Sequence, residues 1–146
     1  MSGVVVNELS PWTLHPQLEA DTVPVGELAL SRLLLARDAN YPWLILVPRC
    51  GGVSEIIDLD EPGQAELTRE IALACRALKA VAPCDKLNVA ALGNAVPQLH
   101  VHIIARRRDD SAWPRPIWGV VPAREYDPAT RERLIAALRD ALWPGK

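Results

Sequence analysis

Two of the chain's three histidines stand two positions apart, in the stretch Gln98-Leu99-His100-Val101-His102-Ile103-Ile104. Successive side chains of an extended strand alternate between faces. The pattern therefore predicts Gln98, His100 and His102 on one face and Leu99, Val101 and Ile103 on the other. The second set can be buried against a core, while the first presents an amide and two imidazoles in a row. Imidazole titrates near pH ~6.5, so such a pair can act as nucleophile, acid–base group or metal ligand. A neutral imidazole attacks phosphorus well, and the phospho-imidazole formed is labile to water. Covalent catalysis then divides one hard displacement into two easier ones. That chemistry asks for a fixed tautomer on the attacking ring and for donors beside the developing charge on the phosphate oxygens. His102 is spaced to be one donor and Gln98 offers an amide N–H on the other side. Asn88 and Asn94, on the preceding strand and its turn, are further candidates.

Blander readings use the same residues. A His-x-His pair on a strand can be purely structural, and Asn88 and Asn94 can satisfy turns. His100 and His102 could supply two metal ligands, but the sequence shows no third histidine, cysteine pair or carboxylate cluster beside them, so no metal or cofactor is expected.

The strand needs a scaffold. Residues 1–20, with Pro11, Trp12 and Pro16, read as an irregular N-terminal arm holding one helical turn around His15 to Glu19, and His15 as a surface residue. Pro24 and Gly26 limit Val23 to Leu28 to a short or edge strand. Ser31 to Arg37 pairs with the apolar strand Trp43 to Pro48 through the turn Asp38-Ala39-Asn40-Tyr41-Pro42, which Asp38 can simply initiate. Ser54 to Asp58 is a connector. Asp60-Glu61-Pro62 starts a helix, which runs to about Val81 with Leu67, Ile71, Ala74, Cys75 and Leu78 on one stripe. Leu87 to Leu92 and Gln98 to Arg106 read as adjacent antiparallel strands around the Gly93-Asn94 turn. Arg106-Arg107-Arg108 before Asp109-Asp110 reads as a self-neutralising, solvated turn. Residues 109–126 form an ordered loop whose Trp113 and Trp118 anchor the tail, and residues 127–143 form a C-terminal helix with Leu134, Leu138, Ala141 and Leu142 on one face. The order of elements gives a single α+β domain, 1–146, on a mainly antiparallel sheet with two main helices.

Composition narrows the class. The 146 residues are 49% hydrophobic with a net charge of −2, so no surface for coating nucleic acid is expected. No apolar run approaches the ~20 residues of a membrane span. Met1 to Ser10 lacks the basic and apolar regions of a signal peptide. Cys50, Cys75 and Cys84 form no CxxC pair, which argues against a disulfide framework and a thiolate zinc site and for a reducing, cytoplasmic setting.

The stretch Gly93-Asn94-Ala95-Val96-Pro97-Gln98-Leu99-His100-Val101-His102-Ile103-Ile104-Ala105-Arg106 resembles the histidine triad (HIT) motif, His-φ-His-φ-His-φ-φ with φ apolar. The upstream helix, the strand–turn–strand, and an early Asp followed by an apolar strand ending in Pro fit the family's layout over residues 21–108. Two positions depart from it. Gln98 replaces the first triad histidine, and Trp43 stands where many members carry a further one. The resemblance implies a five-stranded antiparallel sheet and a homodimer in which two such sheets join. It implies His100 as nucleophile, with His102 and Gln98 assisting. Hydrolysis or transfer would occur at the α-phosphate of a dinucleoside polyphosphate or nucleoside phosphoramidate, through a nucleotidyl-His100 intermediate. It assigns the ribose to Asp38, and Asn88 and Asn94 remain candidates at the phosphate. It also implies that C-terminal segments can lie near the partner's site. The departures support an alternative, a nucleotide-binding module with weak or no turnover. A structural dimer without nucleotide affinity is the third reading.

Overall fold

Five short strands, three of them buried along nearly their whole length, set the architecture. The computed structural model describes residues 11–145. Strands β1 (Thr22–Glu27), β2 (Ser31–Ala36), β3 (Trp43–Pro48), β4 (Lys86–Ala90) and β5 (Val101–Arg106) form one sheet in the order β1-β2-β3-β5-β4. Every pairing is antiparallel. The α+β class with five antiparallel strands is therefore as expected. Among the described residues no helix is long and apolar enough to cross a membrane.

The central strands send alternate residues to two different surroundings. Leu33 and Leu35 of β2, Leu44 and Leu46 of β3, and Val101, Ile103 and Ala105 of β5 are buried in one cluster with helices α2 (Glu61–Val81) and α3 (Pro128–Leu142). The intervening residues Leu34, Ala36, Ile45 and Val47 face the other way and pack with Leu18 of a short helix α1 (Pro16–Asp21) and with Val96. This second face carries the candidate site.

The helix starts follow the sequence. The Asp60 carboxylate accepts from the Gly63 N–H at 2.7 Å, and the Asp127 carboxylate accepts from the Thr130 N–H at 3.1 Å. Both are N-caps followed by proline in the first turn, where a missing N–H does no harm. The helical stripe of α2 has one unexpected member. Glu70 is fully buried, and its carboxylate accepts from the N–H groups of Leu30 and Ser31 at 2.7 and 3.0 Å. Burial pushes its pKa up. At Gly26, beside the irregularity in β1, a Cβ atom would lie 2.4 Å from the Trp143 ring, so only glycine lets the C-terminal cap pack there.

Several boundaries differ from expectation. Helix α1 occupies the end of the arm, of which residues 1–10 lie outside the described ones. A 3-10 turn, Ile56–Asp58, interrupts the connector. Strand β4 ends at Ala90 and β5 begins only at Val101, so the span 91–100 is a long excursion rather than a tight hairpin. Gln98, Leu99 and His100 belong to that excursion and not to the pleat. The Leu99 N–H donates to Val53 O instead of to a sheet neighbour, which accounts for the late start of the strand.

Candidate active site

His102 is on β5 opposite Ile45 of β3, and His100 immediately precedes the strand. Both are buried, each 6% exposed, and their rings lie 4.8 Å apart at 72°. They line an open cavity of about 610 Å³ on the sheet face away from α2 and α3. One wall is α1, through Leu18, Ala20 and Asp21, and the opposite wall includes Ile117 and Trp118.

The hydrogen bonds of the two rings define their tautomers. His100 Nδ1 lies 2.7 Å from the backbone carbonyl oxygen of Gln98. A carbonyl only accepts, so Nδ1 carries a proton, and in the neutral ring the lone pair is on Nε2. Trp43 Nε1 donates to His102 Nδ1 at 3.0 Å. An indole N–H only donates, so His102 Nδ1 is unprotonated and its proton resides on Nε2. The site thus holds one basic Nε2 and one donating Nε2–H side by side. Burial, helped by the neighbouring His100, lowers the His102 pKa to about 4, so this ring is neutral at pH 7.

Trp118 completes an aromatic wall around His102. It meets the imidazole edge-on at 5.0 Å and Trp43 at 6.1 Å, yet remains 39% exposed toward the cavity. From the sequence, Trp118 is expected to anchor the tail, and Trp43 stands where many family members carry a histidine. The pairing of β3 with β5 brings Trp43 to the imidazole, and the 109–126 loop brings Trp118.

The other candidates divide. Asp38 lines the cavity, and its Oδ1 accepts from the backbone N–H of Asn40 and Arg124 and from Asn40 Nδ2. None of these bonds uses Oδ2. Asn94 lines the cavity beside Gly93, whose φ of +81° suits the turn. Asn88 is opposite Ile104 and away from the cavity, and its Oδ1 accepts from Arg106 Nη1 at 2.8 Å. Gln98 turns its side chain toward the N-terminal arm and not into the large cavity. It lines a smaller cleft of about 260 Å³ on the other side of His100.

The arginine run is also divided. Arg107 pairs with Asp109 on the surface at 3.1 Å, as a solvated turn should. Arg106, however, is 1% exposed and pairs with Asp110 at 2.7 Å, with its guanidinium near the rings of Tyr41 and Trp113. Asp110 also accepts from the N–H groups of Arg107, Ala112 and Trp113. Burial opposes its ionisation, but Arg106 and these donors outweigh it and hold the carboxyl at about 2. The run is thus partly a buried staple that starts the 109–126 loop and carries Trp118 back to the site. His15, half-buried, caps α1 by accepting from the Gln17 N–H at 3.0 Å. Among the described residues no three His, Cys, Asp or Glu side chains gather as candidate metal ligands.

Comparison with known proteins adds the following. A family model described as HIT domain matches residues 17–109. The chain is similar to a histidine triad protein from Bradyrhizobium japonicum at 56% identity, over 91% of this chain and 99% of that one, with a TM-score of 0.90. A histidine triad protein from Marinobacter aquaeolei shares 41% identity over 91% and 97% of the two chains, with a TM-score of 0.88. One from Sinorhizobium meliloti shares 40% over 90% and 97%, also with a TM-score of 0.88. No curated protein matches.

Proposed function

Because the chain belongs to the histidine triad (HIT) family, we propose that it is a nucleotide hydrolase or nucleotidyl transferase acting at the α-phosphate. The substrate is a dinucleoside polyphosphate or a nucleoside phosphoramidate. Nε2 of His100 attacks the α-phosphorus, the bond from phosphorus to the leaving oxygen or nitrogen breaks, and the leaving group departs with the electron pair, a leaving nitrogen taking up a proton from solvent to depart as an amine. The product is a nucleotidyl-His100. Water, or an acceptor hydroxyl, then attacks phosphorus and gives up its proton to solvent, and His100 leaves with its lone pair restored.

The supporting observation is the pair of opposed tautomers. The Gln98 carbonyl accepts from Nδ1–H of His100 and stabilises the positive charge that the ring gains on attack. The Nε2–H of His102, kept in place by Trp43, is a donor for the phosphate oxygens. Asp38 offers its Oδ2 to the ribose hydroxyls and Asn94 its amide to the phosphate. The reading includes a homodimer in a cytoplasmic setting. The exposed Val89 on edge strand β4 and the exposed Leu92 beyond it leave that side apolar, as a joining edge requires.

The test compares the native chain with His100→Ala on adenosine 5′-phosphoramidate and diadenosine tetraphosphate, with mass spectrometry of the intact protein after acid quench. The native chain should carry a mononucleotide adduct. The variant should carry none, and turnover should fall on the order of a thousandfold or more. Equal turnover by the two proteins overturns the assignment. The rival reading, a binding module without turnover, draws on the Gln98 side chain being engaged elsewhere. AMP binding with neither product nor adduct selects it.

A further inference from the structure

The Gln98 side chain holds both of its polar ends against the N-terminal arm. Its Oε1 accepts from the His15 N–H at 2.9 Å, and its Nε2 donates to Thr13 O at 2.8 Å. These two contacts cross 83 and 85 positions of sequence. They grip the chain directly ahead of α1, whose N-cap is His15. Helix α1 supplies Leu18, Ala20 and Asp21 to the cavity wall, and Leu18 is 4% exposed in the cluster beneath. The main-chain carbonyl of the same Gln98 accepts from Nδ1–H of His100. One residue therefore touches the arm with its side chain and the candidate nucleophile with its backbone.

We propose that Gln98 is a positioning residue, whose amide latches the arm so that α1 stands as the nucleotide-binding wall of the cavity, in register with His100. This deepens the functional reading above and rests on it for the ligand. A glutamine performs the task because a single side chain both accepts from and donates to peptide groups two residues apart, which an imidazole in one tautomer does with different spacing. The six residues of α1 are too few to hold their place alone, so the wall depends on packing and on this latch.

The experiment uses the full chain with Gln98→Met, which keeps length and removes both bonds, and Gln98→Glu, which keeps the acceptor for His15 N–H and sets a carboxylate against Thr13 O. Hydrogen exchange reads the arm directly, independently of any ligand. Calorimetry with AMP, and steady-state kinetics on adenosine 5′-phosphoramidate, read the wall. In Gln98→Met the amide of His15 should exchange roughly tenfold faster, which corresponds to the loss of about 1.4 kcal/mol of protection. AMP affinity should weaken and KM should rise by roughly tenfold, with kcat changed by less than about threefold, because the backbone bond to His100 remains. Gln98→Glu should also release the arm.

Unchanged exchange at His15 in Gln98→Met overturns the proposal whatever the nucleotide data show. So does a fall in kcat with unchanged KM and unchanged arm exchange, which is the signature of a direct phosphate donor. Faster arm exchange in a protein whose native form binds no AMP supports the latch and overturns the functional reading instead.

Discussion

Trp43 shows how one side chain can set the chemistry of another. Protonating His102 at Nδ1 requires giving up the indole N–H bond, so Trp43 and burial act in the same direction on that ring. Trp43→Phe removes the donor and loosens the packing around the imidazole. The His102 pKa should then rise from about 4 toward the ordinary value, by roughly one unit if the bond is worth ~1 kcal/mol. Titration followed by NMR checks this. An unmoved pKa would mean that the indole is only a space filler. Much of this was visible in the residues themselves. The alternation of polar and apolar types from Leu99 to Ile104 identified His100 and His102 correctly as neighbours on one side. It placed Gln98 with them as well, and there it failed. Alternation is assured only within the pleat, which begins at Val101; His100, one residue ahead of it, still follows the pattern, and Gln98, two residues further out, does not. The bond of Trp43 to His102 crosses 59 positions and leaves no local trace.

Helix α2 does more than cover the sheet. Through Glu70 it holds the turn between β1 and β2 by two backbone N–H groups, fully out of water. Glu70→Ala leaves both donors buried without an acceptor, at ~1–3 kcal/mol each if the site does not rearrange. The variant should lose roughly 2–6 kcal/mol in urea denaturation, and Glu70→Gln, which retains one acceptor, should lose less. Equal stability of Glu70→Ala and the native chain would show that water reaches the turn. The boundaries of α2 and α3 were legible because Asp60-Glu61-Pro62 and Asp127-Pro128 are local signals. The role of Glu70 was not, since a charged residue next to Ile71 on a helix reads as solvent-facing until the turn it grips is in view. The same holds for Arg106. Its neighbours Arg107, Arg108 and Asp109 are surface residues, and the sequence does not distinguish the one guanidinium that is buried by Asp110 and two aromatic rings.

The titrating groups of the fold add up to an acid limb for the whole molecule. The folded state lowers the His102 pKa to about 4, below the unfolded ~6.5, so the unfolded chain takes up a proton first as pH falls. Stability should decline from about pH 6.5 to pH 4 by about 3 kcal/mol from this ring alone. The Asp110 carboxyl, held at about 2 against ~3.9 unfolded, contributes stability above pH ~4 that is lost as pH falls toward 2. Glu70, shifted up by burial, works in the opposite sense, and its cost appears as pH rises. Denaturant midpoints from pH 8 to pH 3 should therefore fall in two stages, and His102→Gln should flatten the first. A native curve that is level between pH 6.5 and 4 would contradict the buried neutral ring. The sheet that carries these groups also keeps two tasks apart along single strands. Trp43 and Ile45 border the cavity, while the intervening Leu44 and next-door Leu46 belong to the framework beneath. The cavity lining can therefore vary at Trp43 and Ile45 while Leu44 and Leu46 keep the protein standing, so a new specificity need not begin from a new fold.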